Sequence, residues 1–321
     1  MMTPVHTLCN DAGQGMGIRP ISELEFTLFQ AMIHRASGIH LSQAKKPLLV
    51  GRLSRRLREL GLGSFGEYYR LVSRDGADSE RRFMVDCICT NETQFFREPR
   101  QFEFLEHNII PEWKARAASG QRPRRVRVWS AACSTGEEPF SVAMMLLYHL
   151  TPGAGWEIEI LASDLSQRAL ETARKGVWPR EKASQISPVF LKAFMLQGTR
   201  TQEGKMKAGD EIRSVVRFER INLNDETYPV DGPFDLILCR NVLIYFDAES
   251  KARVVERLLN HLAVGGFLFL GHAESLNGMG GRARSVGPTI YERLPHSFSI
   301  ATNEGVHNGA GAGGRVPVHV K

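Results

Sequence analysis

Apolar positions in the first ninety residues recur at helical spacing. Phe26, Phe29 and Ile33 share one face, three to four residues apart. Ser22 and Glu25 precede that run in the S-x-x-E pattern, in which each side chain satisfies the other residue's backbone N–H, and Gly38 is a natural stop. A second helix is predicted over 47–60, with Pro47 in its first turn and Leu49, Leu53, Leu57 and Leu60 on one side. Gly61 and Gly63 end it; Ser64 with Glu67 then caps a third helix to 73, and a fourth over 79–88 carries Phe83, Val85 and Ile88. Residues 20–90 thus read as a small all-helical domain, preceded by a tail over 1–19 that lacks any period and is expected to be disordered.

Residues 91–125 read as a linker and connecting helix. The polar stretch TNETQFFR (90–97) contains Phe95 and Phe96, both expected to pack inward; a long helix carrying Phe102, Leu105 and Ile109 follows, then the basic loop KARAASGQRPRR (114–125). From Val126 the period changes. Strands are predicted over 126–131, 157–163, 215–219, 234–239, 267–270 and 289–293, with helices over 140–150, 166–175 and 248–262. Such alternation predicts an α/β fold, a mostly parallel sheet with helices on both faces, spanning 126–301. An interruption over 178–213 holds a helical 188–195 and a Gly-punctuated polar stretch suited to short antiparallel strands. The Gly-rich end, 302–321, reads as a disordered tail.

Composition changes this picture little. The chain has 321 residues, 42% apolar and 24% charged, which is ordinary for a soluble globular protein. No apolar run nears the roughly 18 residues of a membrane span. The N-terminus lacks the charged and apolar regions of a secretory leader. Cys9, Cys87, Cys89, Cys133 and Cys239 are scattered, with no C-x-x-C pair, so no zinc site or disulfide framework is expected and a reducing cytoplasm is the simplest location.

Charge matters more. A net charge of +6 is compatible with nucleic acid, a membrane surface or an acidic protein partner. Between 41 and 60 there are six Lys or Arg and one acid, with Arg52, Arg55, Arg56 and Arg58 opposite the leucine face. A solvated helix face is the usual meaning of a charge run. This one is nearly all one sign and uses Arg, whose planar fork recognises carboxylates and phosphates, so a docking surface for an acidic partner is favoured.

The candidate chemistry starts at VRVWSAACSTGEEP (126–139), a strand, a small-residue turn and a helix N-terminus. Backbone N–H groups point outward at such a junction. Gly136 is the only glycine of the turn, so the G-x-G-x-x-G and G-x-x-x-x-G-K-[ST] phosphate patterns are absent. Glu137 and Glu138 would repel phosphate and suit a cation such as an amino-acid ammonium; Thr135 with Glu138 also fits a T-x-x-E cap. Asp164, at the end of the second strand, suits a ribose diol or caps the following helix, and the two roles stay open. The other strand ends carry Asn222-Leu223 and Arg240-Asn241. A ribose, no phosphate and a cationic amino-acid end together describe S-adenosylmethionine.

These residues carry a resemblance. The segments LLVGRLSRRLRELGL (48–62), TNETQFFRE (90–98), VWSAACSTGEEPFSVAM (128–144), ASDLSQRALETARKGVW (162–178) and FDLILCRNVLIYFD (234–247) are similar to those of the CheR-type methyltransferases of bacterial chemotaxis, in order and approximate spacing, over roughly 20–295. The resemblance implies a helical N-terminal domain joined to a class I S-adenosylmethionine-dependent methyltransferase (Rossmann-like) fold, with a small antiparallel β-subdomain inserted at about 197–217. It implies methylation of glutamate side chains on the cytoplasmic domain of methyl-accepting chemoreceptors, leaving S-adenosylhomocysteine. Asn91, Thr93 and Arg97 are expected to close over the cofactor, Glu138 and Asp164 to hold its polar parts, Asn222 and Leu223 to lie at the adenine, and Arg240 and Asn241 near the sulfonium. Arg97 and Tyr245 match positions facing the reacting centre, and the 52–58 arginines match a receptor-docking face. Phe140 departs from the family's frequent Tyr, at the expected loss of one hydroxyl and no activity.

A glutamate carboxylate is already ionised at pH 7, so no general base is required. No Cys–His or Ser–His pair is evident, and His272 in GHAES reads as structural. No metal, no bound nucleic acid and no membrane insertion are expected, and the chain is expected to act as a monomer. Two other readings compete. A nucleic-acid methyltransferase would use the arginine helix on phosphate, but 240–243 reads RNVL where an N/D-P-P-Y/F motif would stand. A non-catalytic S-adenosylmethionine-binding signalling module would use the same residues without transfer.

Overall fold

Four helices open the chain: α1 (Glu23–Ser37), α2 (Lys46–Glu59), α3 (Phe65–Val72) and α4 (Asp78–Ile88). The coordinates are a computed structural model, and residues 17–276 and 281–295 are described. Most of the expected N-terminal tail and all of the Gly-rich tail lie outside the described residues. Helix α1 begins with the expected reciprocal cap: Ser22 N donates to Glu25 Oε2 (2.8 Å) and Glu25 N to Ser22 Oγ (3.2 Å). At α3 Glu67 N donates to Ser64 Oγ (3.2 Å), but the Glu67 carboxylate accepts from Gly63 N (2.8 Å), one residue before the position a capping box requires. Phe26, Phe29, Ile33, Leu49, Leu53, Leu57 and Ile88 meet in one core. Met84 fills that core beside Val85; Phe83 instead lies half-buried under the Arg56 guanidinium, 4.2 Å from its ring centre.

The expected long helix is present over 99–118: α5 (Pro99–Phe104) continues into α6 (Ile110–Ala118) through a π turn over Leu105–Ile109. Pro111 sits in the first turn of α6 and has no N–H to give, which breaks the regular ladder there.

The remainder alternates: β1 (Arg125–Ala131), α7 (Glu137–His149), β2 (Glu157–Asp164), α8 (Gln167–Lys175), β3 (Val177–Pro179), α9 (Pro188–Phe194), β4 (Met195–Gln197), β5 (Lys205–Ala208), α10 (Asp210–Ser214), β6 (Val216–Arg220), β7 (Phe234–Cys239), α11 (Ala248–His261), β8 (Leu262–Leu270), β9 (Ala283–Gly287) and β10 (Ile290–Arg293). The main sheet runs β6-β2-β1-β7-β8-β10-β9, with the first five strands parallel and the β8–β10–β9 edge antiparallel. Strand alternation divides the core into two. Val126, Val128, Leu236, Leu238, Phe267 and Phe269 pack with α7 on one face; Trp129, Ala131, Ile237, Cys239, Leu268 and Leu270 pack with α11 on the other. The α/β class and helical attachment agree with the sequence expectation.

The small antiparallel sheet is present but spans 177–208, so it begins upstream of the expected 197–217 and only β5 lies wholly inside that range. Its order is β3-β5-β4, and Val216–Arg220 belongs to the main sheet, parallel to β2. Three-residue strands leave too short a pattern for periodicity to detect, so only pairing reveals them. Strand β9 was missed for the same reason: its five residues alternate poorly and lie at the sheet's open edge. No described helix is long and apolar enough to cross a membrane.

Candidate active site

Strand β1 lies between β2 and β7; helix α7, which leads from β1 to β2, and helix α11, which leads from β7 to β8, cover opposite faces. The strand order reverses at that point, which opens a crevice at the carboxyl ends. The β1–α7 turn is pulled tight there. Ala132 N and Cys133 N both donate to Ser163 O (2.8 Å each), and Ser134 N donates to Asp164 Oδ2 (2.8 Å). Gly136 has φ 97°, and a Cβ there would stand 3.0 Å from Ala173 Cβ. Only glycine suits both the conformation and the approach of α8.

A cavity of about 380 Å³ occupies the crevice, roofed by the helical domain and the linker. Asn91, Thr93, Arg97, Glu138, Asp164, Asn222, Leu223, Arg240, Asn241 and Tyr245 all line it. The structure therefore gathers every residue that the resemblance implied at the cofactor or reacting centre.

The polar groups are arranged around Arg240, whose side chain is 2% exposed. One guanidinium nitrogen lies 3.1 Å from Glu138 Oε2, the other 3.2 Å from Glu98 Oε2, and the latter nitrogen also donates to Arg97 O. Ser130 Oγ donates to Glu138 Oε1 at 2.6 Å. Glu98 Oε2 and Arg240 Nε are buried without a hydrogen-bond partner among the described residues. Burial pushes the Glu138 carboxyl above the ordinary range, against the pull of Arg240. Burial likewise raises Asp164, opposed by N–H donors from Ser166 and Ser134. Burial acts upward on Glu98 too, but Arg240 and hydrogen bonds from His272 N and Asn241 outweigh it and hold that carboxyl low. Two carboxylates, Glu98 and Glu138, thus share the one buried Arg240 guanidinium, and Asp164 stands apart, held by backbone N–H donors.

Several expected roles change. Glu137 does not reach the cavity. It is 0% exposed, paired with Lys182, and accepts from Thr135 Oγ1 at 2.6 Å. Neighbouring helix residues point about 100° apart, so one acid faces the crevice and the other the 180–185 turn. The T-x-x-E cap is absent as well: Gly136 is the N-cap and has no side chain to offer. Asp164 does not cap α8; Ser166 does, accepting from Ala169 N (3.2 Å), while Asp164 Oδ1 accepts from Ser166 N (2.8 Å). The Asn222 amide donates to Ala36 O (3.0 Å) and Asp225 Oδ1 (2.9 Å), tying its strand end to α1.

The arginine helix presents two arginines outward, not four. Arg52 donates to Ile88 O, to Cys89 O (3.0 Å) and to Thr90 Oγ1 (2.9 Å), closing the C-terminus of α4 at the cavity wall. Arg56 holds Glu80 with two nitrogens, at 2.8 and 2.6 Å. Arg55 and Arg58 are exposed, Arg55 beside Glu59 at 2.9 Å. Positions 52 and 56 share the stripe that faces α4, and 55 and 58 the stripe beside it, because residues three or four apart lie on one face.

The family described as "CheR methyltransferase, all-alpha domain" matches residues 24–89, and "CheR methyltransferase, SAM binding domain" matches 91–291. The chain belongs to the CheR methyltransferase family. It is 39% identical over 267 residues to "Chemotaxis protein methyltransferase 2" of Pseudomonas aeruginosa, covering 83% of this chain and 92% of that protein. It is 37% identical over 272 residues to "Chemotaxis protein methyltransferase" of Escherichia coli, covering 84% and 91%. Among solved structures, the glycopeptide N-methyltransferase MtfA complexed with S-adenosylmethionine is 15% identical over 64% of this chain and 61% of that one, with a TM-score of 0.32, too loose to carry weight. This CheR-family chain is an S-adenosylmethionine-dependent methyltransferase, and the nucleic-acid and non-catalytic readings are not favoured.

Two CheR-family acids escaped the sequence reading. Glu98 and Glu274 flank Asn241, which has φ 58°. Glu98 Oε1 accepts from Asn241 Nδ2 (3.2 Å), and Glu274 Oε2 from Asn241 N (3.0 Å). The available signal was the GHAES segment, noted only for its histidine. His272 contributes its backbone N–H to Glu98 Oε1 (3.1 Å), and its ring is not among the cavity-lining groups.

Proposed function

We propose that this enzyme methylates glutamate side-chain carboxylates on the cytoplasmic domain of chemoreceptors, forming methyl esters, and that it does so in the cytoplasm as a monomer. The observation that carries the reading is the cavity at the strand ends: the carboxylates Glu138 and Asp164 line it together with Asn91, Thr93, Arg97 and Arg240, where a ligand bearing an ammonium and a ribose would lie. S-adenosylmethionine supplies an electrophilic methyl group on that sulfonium. In this reading Glu138 receives the ammonium, Asp164 the ribose hydroxyls, Asn222 and Leu223 bound the adenine, and Asn91 and Thr93 close the linker side.

Neither cysteine at the cavity is poised as a nucleophile. Burial pushes the Cys89 thiol up to about 12 and the Cys133 thiol well above its ordinary value, so both stay protonated at neutral pH. A glutamate carboxylate needs no activation, because its ordinary pKa is about 4.3. What the protein contributes is alignment, worth on the order of 7–11 kcal/mol when donor and acceptor are held in line. Arg97 is assigned to orient the acceptor carboxylate with its fork, and Tyr245 to line the methyl-transfer side. Opposite charges disappear as the ester forms, so the low-polarity wall of Leu41, Leu48 and Ile88 favours the product direction. Arg55 and Arg58, with the part of α2 they expose, are assigned to an acidic receptor surface.

The deciding experiment is methyl transfer from radiolabelled S-adenosylmethionine to receptor-containing membranes. Base-labile label on receptor bands supports a carboxyl methyl ester. Label confined to nucleic acid would overturn the reading.

A further inference from the structure

We infer that Glu274 is a positioning residue for methyl transfer: its buried carboxylate sets the Asn241–Tyr245 turn against the cavity. The inference rests on the active site proposed above and adds to it a residue that does not line the cavity.

Glu274 is 2% exposed. It accepts three backbone N–H groups: Gly271 N at 2.6 Å and Asn241 N at 3.0 Å on one oxygen, and Ile244 N at 3.2 Å on the other. Those donors come from the loops that follow two adjacent parallel strands, β7 and β8. Without the carboxylate all three would lie at the sheet's end with no strand to pair with. The socket is close-fitting. A Cβ on Gly271 would stand 2.6 Å from Asn241 Nδ2, 2.7 Å from Asn241 N and 2.8 Å from Glu274 Oε2, so residue 271 must be glycine for the carboxylate to reach.

The held segment is the one the reaction uses. Asn241 sits in the left-handed region at φ 58°, a conformation that side chains seldom adopt and that persists where the surroundings over-determine it. Two carboxylates do so here, Glu274 on its N–H and Glu98 on its side-chain amide. Ile244 N is the second anchor, and the next residue is Tyr245, whose carbonyl accepts from His40 N of the helical domain at 2.7 Å. The turn is thus clamped from the sheet by Glu274 and from the roof by the segment after α1. Glu274 touches no ligand-facing atom in this arrangement; it acts through the backbone of residues that do.

Glu274→Gln tests this with shape conserved. One oxygen becomes an NH₂ that must face a backbone N–H, so either the Ile244 contact or the Asn241 and Gly271 contacts are lost. A displacement of about 1 Å at a reacting centre can cost on the order of 100-fold. The variant of the full chain is expected to lose about 30-fold or more in kcat on receptor-containing membranes, with KM for receptor and Kd for S-adenosylhomocysteine within about threefold of wild type. Amide hydrogen exchange at Asn241, Ile244 and Gly271 is expected to quicken by about tenfold or more while β1 amides keep their protection. Faster exchange at those three amides with unchanged kcat overturns the inference, since the carboxylate would then serve the fold alone. Loss of protection throughout the sheet, with kcat and affinity falling together, also overturns it. A wild-type chain that labels no receptor carboxylate sinks the proposed function, and the positioning role in methyl transfer falls with it whatever the three amides do.

Discussion

Glu137→Gln and Glu138→Gln change adjacent, chemically identical residues and are expected to fail in different ways. Glu137 is 0% exposed, and its partners are Lys182 and the Thr135 hydroxyl. Removing one charge of a buried pair costs about 3–5 kcal/mol when the other is left buried. Lys182 is 29% exposed and retains a bond to Thr93 O at 3.3 Å, so it can turn to water and the cost is expected nearer 2–3 kcal/mol. At about 2–4 °C per kcal/mol for a domain of this size, melting should fall by about 4–12 °C. Affinity for S-adenosylhomocysteine should stay within about threefold, because Glu137 is absent from the cavity wall. Glu138→Gln removes a charge-assisted bond of about 1.5–3 kcal/mol from the ligand, a loss of roughly 10–150-fold in affinity. Scanning calorimetry of the free proteins and titration calorimetry with S-adenosylhomocysteine separate the two effects. If Glu137→Gln weakened binding as much as Glu138→Gln while leaving the melting temperature unchanged, the division of labour between the two acids would be wrong.

Replacing Arg97 with Ala is expected to lower methyl transfer by about 10–100-fold, the worth of one charge-assisted bond, while the circular dichroism spectrum stays that of the wild type; wild-type turnover would remove Arg97 from the site. Glu138 and Asp164 titrate above the ordinary carboxylate range because of burial, and they meet the ligand as anions. Affinity for S-adenosylhomocysteine should therefore weaken on acidification at a higher pH than an ordinary carboxylate of pKa about 4 would produce, and a flat profile down to pH 4.5 would count against both roles. Asp247 is held at about 2 by the Ser250 N–H, with a further bond from His34, so its contribution to stability is present above about pH 4 and lost as pH falls through 2; the acid limb of unfolding should be shallower in Asp247→Asn. Gly38→Ala places a Cβ 2.5 Å from the Phe246 ring at φ 73° and should cost about 1–3 kcal/mol, read as a lower denaturant midpoint.

Much of the fold was legible because its signals are local. Ser22 and Glu25 cap α1 within one turn of chain, and the apolar alternation of Phe234–Cys239 marks β7 without reference to any partner. The cavity residues were legible for a related reason: in a parallel sheet the functional side chains stand at strand ends, and strand ends can be read along the chain. Glu274 and Glu98 were not legible. Each acts on Asn241 from far along the sequence, with separations of 33 and 143 residues, and no periodicity links them. The small sheet was located too late because the pairing of β3 with β5 joins segments on either side of α9, and their three or four residues hold no period of their own.

The sequence by itself determined the order of the main helices and strands and the absence of a phosphate loop, because these depend on residue type and spacing within a few turns of chain. It also settled that Glu137 and Glu138 are acids at a helix N-terminus. Which of them faces the ligand was decided only by tertiary structure, since the answer depends on where Lys182 and Arg240 arrive from distant parts of the chain. The arginines of α2 follow the same rule. Composition made them a single basic face, and packing against α4 withdrew Arg52 and Arg56 from it, because a half-buried glutamate held by two parallel bonds and a helix end with open carbonyls bind a guanidinium more strongly than water does.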